Sequence, residues 1–381
     1  MSKSCCSETE NKASAACCSP KKDIAAEAVC CTDDSFADDS CCSDDPCSDD
    51  SCGCTGAGGA PVVGTALSFQ DILGAWKVRW DIGRMDYAVE PGLYAVGKPG
   101  RNSPVLVSAN YKLTFDTLRK NLAALDCWLL ILDTKGVNVW CAAGKGTFGT
   151  DELVKRIEKV ALSDAVSHRK LILPQLGASG VSAHEVERRT GFAVLYGPVR
   201  ASDIKEYIAG GCRATPEMRR MRFTLPDRLV LTPLELVTAA KVSLMVFGVL
   251  FLINLFAARP FGLNDFLAYA AAVLIGAVAT PVLLPFIPGR AFAFKGWLVG
   301  ALGIALILWA FGWFSQPFLL LGIGYMLALP AHSAFLAMNF TGASTYTSPS
   351  GVLKEMKIAL PLIILALLAG LVLILIKTFA G

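Results

Sequence analysis

The chain has 381 residues, 54% of them hydrophobic and 18% charged, at a mean hydropathy of +0.50. Soluble domains carry nearer a quarter charged residues, so a purely soluble enzyme is excluded. The net charge of +3 conceals an asymmetry: residues 1–60 hold 4 basic and 12 acidic groups, 31 basic and 20 acidic groups follow, and 11 of the 14 cysteines lie before residue 55. Composition therefore divides the chain into an acidic cysteine-rich tail (1–60), an α/β domain (61–225) and an apolar region (226–381).

The tail carries vicinal pairs at Cys5 and Cys6, Cys17 and Cys18, Cys30 and Cys31, and Cys41 and Cys42, then Cys47, Cys52 and Cys54. Ser, Asp and Ala dominate, and large apolar residues are almost missing. Such a segment buries too little surface to fold alone, so disorder is expected. Zinc and iron–sulfur sites usually show C-x2-C steps. Adjacent thiols instead suit soft cations held by sulfur, such as Hg(II) or Cu(I). Soft-metal capture, a metal cluster and a solvated tail of no specific role all stay open.

From 65 to 212, apolar β-rich runs at Pro104–Ala109, Cys127–Leu132, Val137–Trp140, Leu171–Leu173 and Phe192–Tyr196 alternate with helical patterns near 114–125, 150–162, 182–190 and 202–209. That alternation predicts a Rossmann-like parallel α/β sheet with helices on both faces. Ligands in such sheets sit beyond the carboxyl ends of the strands. The loops there are Ser108–Tyr111, Asp133–Gly149, Pro174–Ser182 and Gly197-Pro198.

Within the second of these loops lies Gly136-Val-Asn-Val-Trp-Cys-Ala-Ala-Gly-Lys145. Asn138 is a good N-cap, Val139 to Ala143 suit a short helix, and Gly144 suits its C′ position. Cys141 then falls in the first turn, where the dipole and free N–H groups favour a thiolate and Lys145 adds positive charge. The competing reading is a buried cysteine in a strand continuing from Val137, which composition alone favours. The motif is not a phosphate-binding loop, because Gly144-Lys145 lacks the glycine five residues before it and the hydroxyl after it.

Uncharged runs over 242–258, 266–289, 296–353 and 358–376 read as five membrane spans, at about 20 apolar residues per crossing. The expected bounds are 236–258, 264–286, 292–313, 317–339 and 357–379. Arg213, Arg219, Arg220, Arg222, Arg228 and Lys241 before or in span one, Arg290 and Lys295 after span two, and Lys354 and Lys357 after span four put three loops on one side. Basic loops stay cytoplasmic, and residues 1–30 contain no apolar stretch of the signal-peptide kind. A multi-pass protein of the cytoplasmic (inner) membrane with a cytoplasmic N-terminal domain is expected. His332 and Asn254 are intramembrane polar groups, read either as functional or as bonds between helices. No cysteine follows Cys212, which argues against a mercury or copper transporter of the cysteine-pair type.

The run Asn138-Val139-Trp140-Cys141-Ala142-Ala143-Gly144-Lys145 resembles the signature of the HgcA family, the corrinoid proteins of microbial mercury methylation. The likeness extends to Ser108–Phe115, to Pro174–Ala178 with Ala183–Val186, and to Tyr196–Arg200. These segments resemble the cobalamin domain shared with the large subunit of the corrinoid iron–sulfur protein of the acetyl-CoA pathway. The cysteine tail departs from the family pattern. The resemblance implies a cobalamin whose cobalt takes the Cys141 sulfur as lower axial ligand, with the motif helix beneath the corrin. It further implies that Asn110, Thr114, Gln175, Leu176, Gly177, Gly180 and Tyr196 contact the corrin or its side chains, each having the alternative role of a turn or strand-end residue. His184 reads as a locally satisfied helix residue or as a cofactor contact.

Hg(II) is an electrophile, so the methyl group must leave as a carbanion or a radical. A polarisable thiolate opposite it pushes electron density through the metal, as Cys thiolate does on haem iron. Each carbanion transfer then consumes two low-potential electrons. The resemblance implies a small ferredoxin with two [4Fe–4S] clusters as reductant and a methyltetrahydrofolate-linked methyl donor; no nucleic-acid partner is expected. A membrane heavy-metal binding or resistance protein using the tail, and a corrinoid methyl carrier for another acceptor, are the alternatives.

Overall fold

The computed structural model describes residues 59–344 and 349–380. The tail cysteines, Cys5, Cys6, Cys17, Cys18, Cys30, Cys31, Cys41 and Cys42 among them, lie outside the described residues, and so does the expectation made for them.

The first part of the chain is α1 (Phe69–Arg79), β1 (Leu93–Val96), β2 (Val105–Ala109), α2 (Lys112–Lys120), β3 (Cys127–Leu132), α3 (Val139–Lys145), α4 (Thr150–Lys159), α5 (Leu162–Ala165), β4 (Lys170–Leu173), α6 (Ala183–Thr190), β5 (Ala193–Tyr196) and α7 (Ile204–Ala209). The sheet order is β1-β3-β2-β4-β5. β2 pairs parallel with both β3 and β4, and β4 pairs parallel with β5. β1 pairs antiparallel with β3, Leu93 opposite Leu130, so the sheet is mixed rather than wholly parallel. An antiparallel pair, unlike a parallel one, needs no helical crossover between its strands.

Every residue of β2 and β3 is buried. Strands covered by helices on both faces read as continuous apolar runs, and here alternate residues feed two separate cores. Val105, Val107, Leu130 and Leu132 pack with Phe148, Leu153 and Val186 on one face. Leu106, Leu129, Ile131 and Ile172 pack with Phe115, Leu118 and Tyr207 on the other.

The apolar region comprises α8 (Leu225–Leu229), α9 (Thr232–Asn254), α10 (Leu263–Leu274), a π-helical turn at Ile275–Ala279, α11 (Thr280–Leu283), α12 (Phe292–Ala310), α13 (Leu319–Asn339) and α14 (Pro349–Ala380). Among the described residues, five segments are long and apolar enough to cross a membrane: Leu225–Asn254, Leu263–Leu283, Phe292–Ala310, Leu319–Gly342 and Ser350–Phe379. Small residues let them approach closely. A Cβ on Gly296 would lie 2.7 Å from the Ser333 carbonyl oxygen, and one on Gly370 would lie 2.6 Å from that of Gly324.

The two ends of the bundle differ. At one, Arg228 donates to the Val282 carbonyl, Lys295 to that of Leu284, and the Ala293 N–H to Glu355; Arg200 of the α/β domain pairs with Asp227 there. At the other, Arg259 pairs with Asp265, and its N–H donates to the Thr378 carbonyl. The basic loops therefore do share an end, the one that carries the α/β domain. Asn254 bonds the Phe261 backbone and closes the loop after α9, while His332 stacks on Tyr269 with ring centroids 5.3 Å apart and Ser333 bridges to the Ala272 carbonyl.

Candidate functional site

The site is built where the sheet changes direction of winding. From β2 the chain moves outward to β3 on one side and then returns to place β4 on the other, leaving a crevice at the carboxyl ends of β2 and β4. Ligands bind at such switch points in open α/β sheets. A cleft of about 390 Å³ opens there, walled by Ser108 of β2, by Tyr111, Leu113, Thr114 and Thr117 at α2, by Asn138, Val139 and Trp140 at α3, by Pro174 and Leu176 after β4, and by Pro198 and Val199 after β5.

Why α3 is a helix and not a strand follows from its first residue. Asn138 is extended, and its side-chain oxygen accepts from the Cys141 N–H at 2.9 Å, which satisfies one of the donors a helix start leaves open. The helix runs two residues past Ala143. Gly146, at φ +83°, takes the left-handed C-cap conformation expected of Gly144, and the alternative of a strand through Val137–Trp140 is overturned with it.

At 3.6 residues per turn the seven side chains divide cleanly. Val139, Ala142 and Ala143 face the core. Trp140, Cys141, Gly144 and Lys145 are exposed, and a Cβ on Gly144 would meet nothing within 4 Å. The outer face of α3 is thus a low platform with one thiol on it, beside the cleft that Val139 and Trp140 wall.

The loop leading into α3 is held from β2. Asn110 is 5% exposed, and its Oδ1 accepts from the Thr134 N–H at 3.1 Å and the Gly136 N–H at 3.0 Å, with the Thr134 hydroxyl 2.8 Å away. Gly136 turns the loop at φ +67°. The underside of α3 is held from the segment after β4. A Cβ on Gly180 would lie 2.1 Å from the Phe148 carbonyl oxygen and 3.0 Å from Ala143 Cα, and one on Gly177 would lie 2.5 Å from the Phe148 ring. The Tyr196 hydroxyl donates to the Val181 carbonyl at 2.7 Å and pins the same segment. Of the residues singled out in the sequence, then, Thr114 and Leu176 wall the cleft, while Asn110, Gly177, Gly180 and Tyr196 hold the elements around it. His184 lies within 3.2 Å of the Ser182 hydroxyl, a local contact.

Three side-chain atoms of the α/β domain are buried without partners among the described residues: the hydroxyl of Tyr111, a cleft-wall residue, the side-chain oxygen of Gln175, which lies between the wall residues Pro174 and Leu176, and Arg79 Nε. Burial pushes the Tyr111 phenol above its ordinary value, against the nearby charges of Arg84 and Arg79, so it stays a neutral O–H donor at physiological pH. Leaving a buried donor and a buried acceptor unpaired costs about 1–3 kcal/mol each, which a bound molecule with amide groups would offset. Tyr111 was passed over in the sequence, although it sits within the segment Ser108–Phe115; an aromatic at a strand end gave no reason to prefer it to its neighbours.

Also missed was the charged cluster behind α2. Lys112 and Arg119 share Asp71 and Asp116, with Arg119 Nη2 2.6 Å from Asp71 and Arg119 Nε 2.8 Å from Asp116. Burial alone would raise the Asp71 carboxyl, but hydrogen bonds from Lys112 and Ser68 hold it well below the usual carboxylate range. This cluster straps α1 to the helix that forms one wall of the cleft. Ser68 followed by Asp71 is a capping box, the signal by which α1 was detectable.

Among the described residues no group of three or more His, Cys, Asp or Glu side chains is placed to hold a metal ion. The donor set at the site is one sulfur with a hydrogen-bonding cleft beside it, which fits a metal that brings its own equatorial ligands, as in a macrocycle.

The family model described as CO dehydrogenase/acetyl-CoA synthase delta subunit matches residues 81–208. Gamma subunits of the acetyl-CoA decarbonylase/synthase complex are similar over the same length of chain. That of Methanocaldococcus jannaschii is 37% identical over 127 residues (33% of this chain, 26% of the relative), and that of Methanopyrus kandleri 38% over 122 residues (32% and 26%). That of Archaeoglobus fulgidus is 35% identical over 127 residues (33% and 27%). The chain spans about a quarter of the length of these curated relatives. The family match takes in all five strands and α3, and leaves out α1 and the five apolar segments.

Proposed function

We propose that this chain is a membrane-anchored, corrinoid-dependent methyltransferase that methylates Hg(II), with the Cys141 sulfur as lower axial ligand of the cobalt. The observation that carries the reading is the exposed thiol on the α3 platform, set beside a switch-point cleft whose wall residue Tyr111 has a buried hydroxyl without a partner among the described residues. A bound corrinoid supplies a cobalt ion that can take up and release a methyl group. The rest of the work falls to the protein. Asn138 fixes the first turn of α3 and so the direction of the sulfur. Gly144 keeps the platform flat, and Lys145 places a cation one turn from Cys141. Tyr111 and Gln175 would bind amide groups of the cofactor's side chains, with Thr114 and Leu176 beside them. Val139 and Trp140 close the apolar side of the cleft against water.

The partners that go with this reading are the small two-cluster ferredoxin as reductant, a methyltetrahydrofolate-linked methyl donor and Hg(II) held as thiolate complexes. The five apolar segments would place all of this at the cytoplasmic face of a membrane. Similarity to acetyl-CoA decarbonylase/synthase gamma subunits favours one second reading, the same cofactor site serving a different methyl acceptor.

The test is purification of the full chain from a host that makes corrinoids. The wild type should carry a stoichiometric corrinoid, Cys141→Ala should alter its absorption spectrum, and methylmercury formation should fall to background in the variant. A colourless, cobalt-free wild type would overturn the reading. A corrinoid-loaded wild type that methylates no Hg(II) would leave the second one.

A further inference from the structure

The outward face of α1 serves neither core nor cleft. At 100° per residue, Phe69, Ile72, Leu73, Trp76 and Trp80 fall within an arc of about 100°. All five are exposed, Phe69 to 76% and Trp76 to 59%, and Ile82 and Met85 extend the patch beyond the helix. The opposite face is committed: Asp71 to Lys112 and Arg119, Gly74 against Tyr87, and Val78 in the core. A contiguous apolar patch of this kind marks an interaction surface.

What covers it follows from where the helix is tied. Asp81, two residues past its end, pairs with Lys241 at 2.6 Å. Lys241 lies within the first apolar segment, Leu225–Asn254, and is the last charged residue before the uncharged run 242–258. Trp80 and Ile82 flank Asp81. Two tryptophans on the apolar face and the exposed Lys77 beside them match the composition of helices that lie in a headgroup layer. Moreover, α1 and the spans both lie outside the matched residues 81–208, and Asp81, the first residue of that stretch and two past the end of α1, pairs with Lys241 of α9.

We propose that α1 is an interfacial helix whose Phe69-to-Trp80 face inserts into the phospholipid headgroup layer of the membrane that this chain's own spans cross. The proposal rests on the membrane reading of those spans and not on the cofactor. Because Asp71 straps α1 to α2, which walls the cleft, insertion fixes the orientation of the site relative to the bilayer, and a soluble partner approaches it from one direction only.

The experiment uses the full chain in nanodiscs of phosphatidylethanolamine and phosphatidylglycerol, carrying the photoreactive aromatic p-benzoylphenylalanine at Trp76, with Leu73 as a second position. The same substitution at Trp309, exposed on α12, reports the spans. After irradiation, mass spectrometry of the peptides should find phospholipid adducts at Trp76 and Leu73 in yields comparable to Trp309. Lipid adducts at Trp309 with none at Trp76 or Leu73 would overturn the proposal and leave the membrane reading standing. Adducts at α1 only to protein, a second copy included, would overturn it in favour of a protein interface. No lipid adducts at any position would overturn both.

Discussion

Replacing Asn138 by alanine removes the one side-chain oxygen that caps α3, and leaves the Cys141 N–H without its 2.9 Å partner. Loss of an N-cap of this kind costs about 1 kcal/mol, within a range of about 0.5–2. One kilocalorie is about a fivefold change in a folded-to-open ratio. A helix of only seven residues has little else of its own to resist opening, since short helices depend on tertiary contacts for their stability. Amide hydrogen exchange of Ala142 to Gly146 in Asn138→Ala should therefore quicken about fivefold relative to wild type, within the roughly 2- to 30-fold span of the cap energies, while β2 and β3 exchange at unchanged rates. Asn138→Asp and Asn138→Ser keep an acceptor at the same place and should restore protection. If the proposed cofactor binds only the formed helix, its apparent affinity falls by at most the same factor, and by less if α3 is already well populated. Unchanged exchange in Asn138→Ala, or equal acceleration in Asn138→Asp, would refute the claim that this cap presents the thiol.

Asn110→Ala strands two backbone donors, the buried Thr134 N–H and the half-buried Gly136 N–H, and should destabilise the α/β domain by about 1–3 kcal/mol in thermal unfolding, whereas Asn110→Asp retains most of that stability. Burial, with Asp126 nearby, pushes the Cys127 thiol up to about 12, so peptide mapping after iodoacetamide treatment at pH 8 should find Cys127 unmodified in the folded protein while exposed Cys141 is alkylated, and a bound corrinoid should protect Cys141. Asp71 is held below its ordinary value of 3.8, so the carboxylate's stabilisation of the α1–α2 strap is fully present above that value and is lost as pH falls through it towards the folded-state value. Exchange of α1 amides, corrected for intrinsic rates, should stay level from pH 8 to 5 and rise below about pH 4, and Asp71→Asn should raise it across the whole range.

How much of this was legible in the sequence differed by the range of the forces involved. The β3 limits, Cys127 to Leu132, are those read from the chain, because six consecutive apolar residues buried on both faces leave no doubt about where a strand stops. The four-residue run Val137–Trp140 allowed strand or helix, since so short a stretch has no usable period. Asn138 decided it locally, while the choice between Gly144 and Gly146 as terminator depended on how far α3 stays packed on Phe148 and Gly180, which no local pattern reports. α1 was missed because its apolar stripe points away from the fold, and a stripe without a core behind it looks like a loop with too many large residues. β1, four residues between Gly92 and Gly97, was too short to count.

The site followed the same division. The platform side of α3 could be read from helical phase once Asn138 was taken as the cap. The cleft beside it could not, because it exists only where β3 and β4 lie on opposite sides of β2, a long-range pairing with no signature in either strand. Asn110 and Tyr196 show the consequence: the resemblance implied cofactor contacts for them, with turn or strand-end roles as the alternative, and the structure uses the Asn110 Oδ1 and the Tyr196 hydroxyl to hold the loops that position α3. Tyr111 and Gln175 are the reverse case, with polar atoms buried and unspent. Buried polar groups are normally paired, so an unspent donor on the cleft wall and an unspent acceptor between the wall residues Pro174 and Leu176 point to a ligand more strongly than residue type does.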